Sequence, residues 1–191
     1  NNNFVANTAD HVGGALHVVQ ASITARNNSF ILNTAPAGSV LSADSTVFWF
    51  SHSLIAGTAA DNWCTASGAS TTVGGVYSLR PPSACVDSGN SINESIRSEV
   101  RVQGYLLDTT YPITRRPVRP FVQSLAVNGG SAAAPDDDIV MRCAESDLLG
   151  NPRPVDGLAD GNPRCDIGAF EWQHEASLFA DDFEYRLQPA Q

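Results

Sequence analysis

Three near-copies of one short phrase open this chain. They read Asn3-Phe4-Val5-Ala6-Asn7-Thr8-Ala9, Ser29-Phe30-Ile31-Leu32-Asn33-Thr34-Ala35 and Ser53-Leu54-Ile55-Ala56-Gly57-Thr58-Ala59. The copies start at Asn3, Ser29 and Ser53, so the first interval is slightly longer than the second. Each puts a large apolar residue second, two apolar residues after it, and then Asn or Gly, Thr and Ala. A unit this short cannot bury its apolar face alone, so repetition at such a period points to a solenoid in which each unit stacks on the next.

Within one unit the residues read as strands and turns. Gly13-Gly14 marks a turn, and the segments after it, Ala15 to Val19 and Ala21 to Thr24, mix β-branched with small or polar residues. One unit then holds two or three short strands, and successive units pair in parallel with equivalent residues stacked. Phe4, Phe30 and Leu54 are expected to form one interior stack. Asn7 and Asn33 are expected to form a turn ladder whose side chains bond neighbouring backbone. Charged residues make up only 16% of the chain, so its polarity comes from Ser, Thr, Asn and Gly, which suit strands and tight turns. The predicted class is all-β.

The net charge is -9, and every one of the 11 cations is an arginine. An acidic chain without basic runs argues against nucleic acid and anionic membrane surfaces as partners. No apolar run reaches the length that spans a bilayer.

The chain divides into regular rungs over 1–60, irregular rungs with long loops over 61–130, a carboxy-terminal cap over 131–175 and an acidic tail over 176–191. Asp61 to Cys85 reads as a looped insert, with Gly74-Gly75 and Pro81-Pro82. Residues 112–120 carry three prolines and three arginines and read as an exposed, extended connection. The repeat is already under way at Phe4, so upstream rungs, an amino-terminal cap or a partner are expected to cover the first rung.

Cys64, Cys85, Cys143 and Cys165 have no Cys-x-x-Cys spacing, which argues against a zinc knuckle. Three pairings are available, and four buried thiols are the alternative. Cys64–Cys85 and Cys143–Cys165 are favoured, because each closes a Gly- and Pro-rich loop with little core of its own. Such a bridge contributes on the order of 3 kcal/mol and implies an oxidising compartment, hence export.

Gly13-Gly14-Ala15-Leu16 and the phrases Phe4–Asn7 and Phe30–Asn33 resemble the paired repeats of bacterial polymorphic outer-membrane proteins. Ser53 to Gly57, Cys64, Cys85 and Leu125-Ala126-Val127-Asn128-Gly129-Gly130 resemble the last rungs of secreted right-handed parallel β-helix proteins. Asp147-Leu148-Leu149-Gly150-Asn151-Pro152-Arg153-Pro154 with Asp166-Ile167-Gly168-Ala169-Phe170-Glu171 resembles the terminal segment of "choice-of-anchor Q" β-helix proteins, relatives of the pectin-lyase-like superfamily. Leu178 to Glu184 resembles an acidic-aromatic tail that follows that segment in some bacterial secreted proteins. The resemblance implies a right-handed, single-stranded parallel β-helix with a loop-rich, disulfide-stapled carboxy-terminal cap. It also implies a secreted, periplasmic or outer-surface location in a bacterium. It implies no reaction, because the fold hosts adhesins, lyases, hydrolases and passive stalks alike.

No catalytic constellation stands out. Arg115, Arg116 and Arg119 form the one basic cluster and are a potential clamp for an acidic glycan, since arginine binds carboxylates bidentately. A solvated connector is the plainer reading. Asp136, Asp137 and Asp138 offer oxygen ligands for calcium, but without the spaced acidic loop that calcium sites use. His11, His17, His52 and His174 are scattered, and no Gly-x-Ser-x-Gly elbow occurs. Trp49, Trp63 and Trp172 could stack on sugar rings if exposed; core or cap packing is the expectation for Trp49 and Trp172, and Trp63, in its loop, is left open. Ile167 and Phe170 are expected to plug the open end of the solenoid, with Arg153 paired to Asp166 or Glu171 beneath the Cys143–Cys165 bridge.

The chain therefore reads as a non-enzymatic extracellular or cell-surface module, a stalk or adhesin-like protein that presents loops to a polysaccharide or a host or cell-surface protein. The alternatives are the carboxy-terminal part of a polysaccharide lyase or glycoside hydrolase with catalytic residues mostly upstream, and a subunit that docks end to end on another protein's rung.

Overall fold

The computed structural model describes residues 1–57, 62–78, 85, 102–103, 118–120, 124–132 and 142–173. Nine short strands follow one another: β1 (Asn3–Val5), β2 (Leu16–Val19), β3 (Ser22–Arg26), β4 (Ser29–Ile31), β5 (Leu41–Asp44), β6 (Val47–Ser51), β7 (Leu54–Ala56), β8 (Cys64–Ser67) and β9 (Thr72–Val76). They form three sheets, β1-β4-β7, β2-β5-β8 and β3-β6-β9, and every pairing in them is parallel. The chain therefore runs three times round one course and gives each sheet a strand on every circuit. A separate antiparallel pair joins β10 (Val102–Gln103) to β11 (Arg119–Pro120). The described residues contain no helix, and so none long and apolar enough to cross a membrane. The molecule is all-β, with parallel ladders compatible with a β-helix-like solenoid.

One left-handed residue follows each of the nine strands. Ala6, Leu32 and Gly57 occupy the first corner, Gln20, Ser45 and Gly68 the second, and Asn27, His52 and Tyr77 the third, with φ from 45° to 83°. A single residue in this conformation turns an extended chain sharply into the next sheet. For an L-residue it costs about 1–2 kcal/mol, and only two of the nine are glycine. The ladders on either side of each corner must offset that strain.

Register sets which residues meet inside. Phe4 pairs with Phe30, Leu16 with Leu41, Leu41 with Cys64 and Phe48 with Val73. The circuit from Phe4 to Phe30 is thus a little longer than the one from Leu41 to Cys64. Phe30 pairs with Ile55, and Ser29 with Leu54. The interior stack is therefore Phe4–Phe30–Ile55, not the expected Phe4–Phe30–Leu54. The repeated phrase would set Ser29 against Ser53, whereas the circuit runs one residue further, to Leu54. In a strand a one-residue offset exchanges the two faces. The Asn ladder is present: Asn7 N and Nδ2 both donate to Asn33 Oδ1 (3.0 and 2.9 Å), and Asn33 Nδ2 donates to Phe4 O (2.8 Å).

The ladder also continues through the stretch expected to be a looped insert, as β8 and β9. Gly74-Gly75, placed in the looped insert from the sequence, lies inside β9. Gly74 pairs with Trp49, and a Cβ on it would lie 2.4 Å from Trp49 Cζ3. The glycine makes room for the indole.

The carboxy-terminal segment lies along the side of the coil rather than over its end. Ser29-Phe30-Ile31 and Leu54-Ile55-Ala56 are buried throughout, on both sheet faces. Phe30 and Ile55 point into the coil, while Ile31, Leu54 and Ala56 point out and pack with Val118, Ala126 and Ile167. A parallel sheet apolar on both faces needs cover on both, and Ile167 supplies it where an end plug was expected. Phe170 instead packs with Val127 and Trp172. Two disulfides, Cys64–Cys85 and Cys143–Cys165, have Cα separations of 5.9 and 6.3 Å. The second ties the start of the side segment to its buried stretch from Cys165 to Trp172.

Candidate functional site

The residues singled out for binding separate widely. Trp63 is fully buried, with its ring edge-on to Phe50 at 5.8 Å. It directly precedes β8 and packs in the same core cluster as Cys64, the first residue of that strand. Its burial leaves no face for the sugar stacking considered for it. Arg119 is half-buried, and its guanidinium lies over the Phe170 ring at 5.1 Å. It is part of the side segment's packing. Arg115, Arg116, Asp136, Asp137, Asp138, His174 and the tail over 176–191 lie outside the described residues.

Ionisable groups do converge where the side segment meets the third corner of the coil. Arg153 Nη1 donates to Glu171 Oε2 (2.9 Å) and to Asp166 O (2.9 Å), and Nη2 donates to Gly168 O (2.9 Å). Of the two acids expected to pair with Arg153, Glu171 accepts the salt bridge, with both side chains fully buried. Glu171 also accepts from Asp166 N (2.8 Å) and Val155 N (2.9 Å). Asp166, fully buried, accepts from Asn128 N (2.8 Å) and Trp172 N (2.7 Å). Asp147 accepts from Leu149 N and Asn151 N (both 2.8 Å) and from Glu171 N (3.3 Å).

One guanidinium thus faces several carboxylates away from water. Burial and then the charge of Glu171 push Asp166 well above the usual carboxylate range, against the amides of Trp172 and Asn128 and the pull of Arg153. Burial lifts Glu171 as well, with Arg153 opposing.

The coil's side of this contact is a column of corner residues. Asn1, Asn27 and His52 stand at equivalent places on successive circuits. Asn1 Nδ2 donates to Ser146 O (2.6 Å), Ala144 N donates to Asn27 Oδ1 (2.8 Å), and Gly168 N donates to His52 O (2.8 Å). His52 is fully buried. Ser131 N donates to its Nε2 (3.1 Å), so that nitrogen is unprotonated and Nδ1 carries the hydrogen that meets Ser51 Oγ (2.9 Å). Burial, then Arg153 and Arg26, push His52 down to about 3. The imidazole is a neutral strut, not a general base. No carboxylate is among its hydrogen-bond partners, and Ser51 is itself buried.

These groups clasp the segment to the coil. Sequence reasoning identified Arg153, Asp166 and Glu171 but missed the corner column. Asn27 and His52 share a left-handed backbone conformation but differ in side chain, so no pattern of residue types marks the column. No group of three His, Cys, Asp or Glu side chains suited to a metal ion occurs among the described residues. A concavity lies elsewhere, at the first circuit, where a cavity of about 440 Å³ opens between Phe4, Leu16, Val18, Ile23, Phe30 and Phe48.

Comparison of the chain with protein-family models, with curated proteins and with solved structures returns no match.

Proposed function

We propose that the chain is a non-enzymatic extracellular module, a right-handed parallel β-helix of the choice-of-anchor Q and pectin-lyase-like kind, exported by a bacterium. In this reading it serves as a stalk or adhesin-like protein whose loops meet a polysaccharide or a cell-surface protein, and the side segment braces the outer face of the coil. The observation that carries the reading is the state of the converged ionisable groups. Asp166 and Glu171 are fully buried, and each of their four carboxylate oxygens accepts from a backbone amide or from Arg153. Acid–base work on a substrate needs a group within hydrogen-bond reach of that substrate, whereas these groups hold two parts of one fold together. Two disulfides fit an oxidising environment.

The test is a glycan-array screen run beside reducing-end and unsaturated-uronate assays on acidic and neutral polysaccharides. Binding without turnover is the expected result. Release of product would overturn the reading and establish a lyase or hydrolase.

A further inference from the structure

The outer face of the sheet β3-β6-β9 carries a tryptophan. Phe48 and Phe50 are fully buried in the core of the coil, so alternation along β6 turns Trp49, between them, to the outside. It is half-buried there, where core or cap packing was expected. Its register partners are Thr24 one circuit before and Gly74 one circuit after.

The pose of the ring follows from Gly74. A Cβ on that glycine would stand 2.4 Å from Trp49 Cζ3, and 2.7 and 2.8 Å from the carbons on either side, Cε3 and Cη2. Distances so similar belong to a point above the ring, because a point beyond its edge would lie much further from the two flanking carbons. The indole therefore lies flat on the glycine backbone, and its other face looks away from the sheet. Among the described residues it has no aromatic neighbour, and its Nε1 has no hydrogen-bond partner. Ser22, Thr24, Val47 and Thr72 hold the adjoining outward positions, and Thr24 and Val47 are exposed. Arg26, at the end of β3 by the third corner, is the one charge in the outward register of these three strands.

An aromatic face is electron-rich and attracts polarised C–H groups, which the flat side of a pyranose presents. A few hydroxyls beside such a face orient the ring through its own hydroxyls. An apolar protein segment on this face would instead leave Thr24, Thr72 and the indole N–H without partners. We propose that the outer face around Trp49 binds a neutral polysaccharide. One pyranose stacks on the indole, Nε1 donates to an oxygen of a flanking sugar, and Thr24 and Thr72 bond sugar hydroxyls. This rests on the binding role proposed above and gives it a place and a ligand class.

The other two tryptophans, Trp63 and Trp172, are buried, so acrylamide quenching of the intact chain reports on Trp49. The probes are hexamers of β-linked glucose, mannose and xylose, with a galacturonate hexamer for contrast. The expected result is that a neutral hexamer shields the indole and that the galacturonate hexamer binds at least tenfold more weakly. Affinity for that neutral hexamer, measured by calorimetry, should fall at least tenfold in Trp49→Ala and less in Trp49→Phe, which keeps a flat ring. Glycan binding that is unchanged in Trp49→Ala would overturn this site and leave the adhesin-like role standing, whereas a chain that binds no glycan at all loses both. Preference for the galacturonate hexamer would overturn the neutral class. Shielding that grows with protein concentration alone, as the mass doubles, would assign the face to a second copy and overturn the proposal too.

Discussion

The ring of Phe4 lies flat against that of Phe30, with centroids 4.8 Å apart and planes within 8° of parallel. The two residues are cross-strand partners one circuit apart. Phe30 is also edge-on to Phe50 at 5.8 Å, and Phe50 in turn packs on Phe48 and Trp63. Phe30 is therefore the joint through which the first sheet reaches the aromatic core of the coil. Phe30→Ala should cost about 3–5 kcal/mol by urea unfolding, the range for a buried aromatic. A cost below about 1 kcal/mol would remove Phe30 from the core.

Close stacking of circuits also constrains the backbone. A Cβ on Gly14 would stand 2.3 Å from Ser39 O and 2.6 Å from Thr34 O, both backbone atoms of the next circuit. Neither can rotate away as a side chain can. Gly14→Ala should destabilise by about 1–3 kcal/mol, whereas an alanine that fits would leave the unfolding midpoint unchanged.

The clasp depends on one cation. Removing Arg153 leaves Glu171 and Asp166 buried without their guanidinium. Arg153→Met should therefore cost about 3–5 kcal/mol. Adding Glu171→Gln to that variant should restore part of the loss. Purely additive single and double variants would show that the pair is not coupled.

His52 predicts a pH dependence. Its folded-state value of about 3 lies below the ordinary 6.5, so between these two values the unfolded chain binds a proton that the folded chain does not. Stability from this group is complete above about pH 6.5 and is lost as the pH falls toward 3, about 5 kcal/mol in all. The raised carboxylates Asp166 and Glu171 act in the opposite sense, so the His52 share must be isolated by substitution. Asn27 occupies the same left-handed corner one circuit earlier, which makes His52→Asn the variant that keeps the corner. Calorimetry of parent and variant from pH 7 to 4 should show a shallower fall in Tm for the variant; parallel curves would contradict the assignment.

The parallel ladder was legible because Phe4 and Phe30, Asn7 and Asn33 recur at circuit spacing and are chemically alike. What repeats at the corners is φ, and Asn27, His52 and Tyr77 have nothing in common that a pattern of residue types reveals. Gly74-Gly75 has the composition of a turn, and only the Trp49 ring above it explains a glycine within a strand. Trp63 is a related case: after the polar pair Asp61-Asn62 and ahead of Cys64 it reads as a loop residue, and only the fold shows it packed against Phe50 in the core. The place of the side segment depended on the outer face of the first sheet. The one-residue difference between phrase spacing and circuit length concealed that Leu54 faces outward.

The register of β4 against β7 is the most direct test of the coil. Cross-strand nuclear Overhauser contacts between backbone protons, measured on the isotopically labelled chain, distinguish the possible pairings. Parallel contacts that set Phe30 opposite Ile55, and Ser29 opposite Leu54, are the predicted result. Contacts that set Phe30 opposite Leu54, or an antiparallel pattern between these strands, would contradict the parallel coil and its Phe4–Phe30–Ile55 stack.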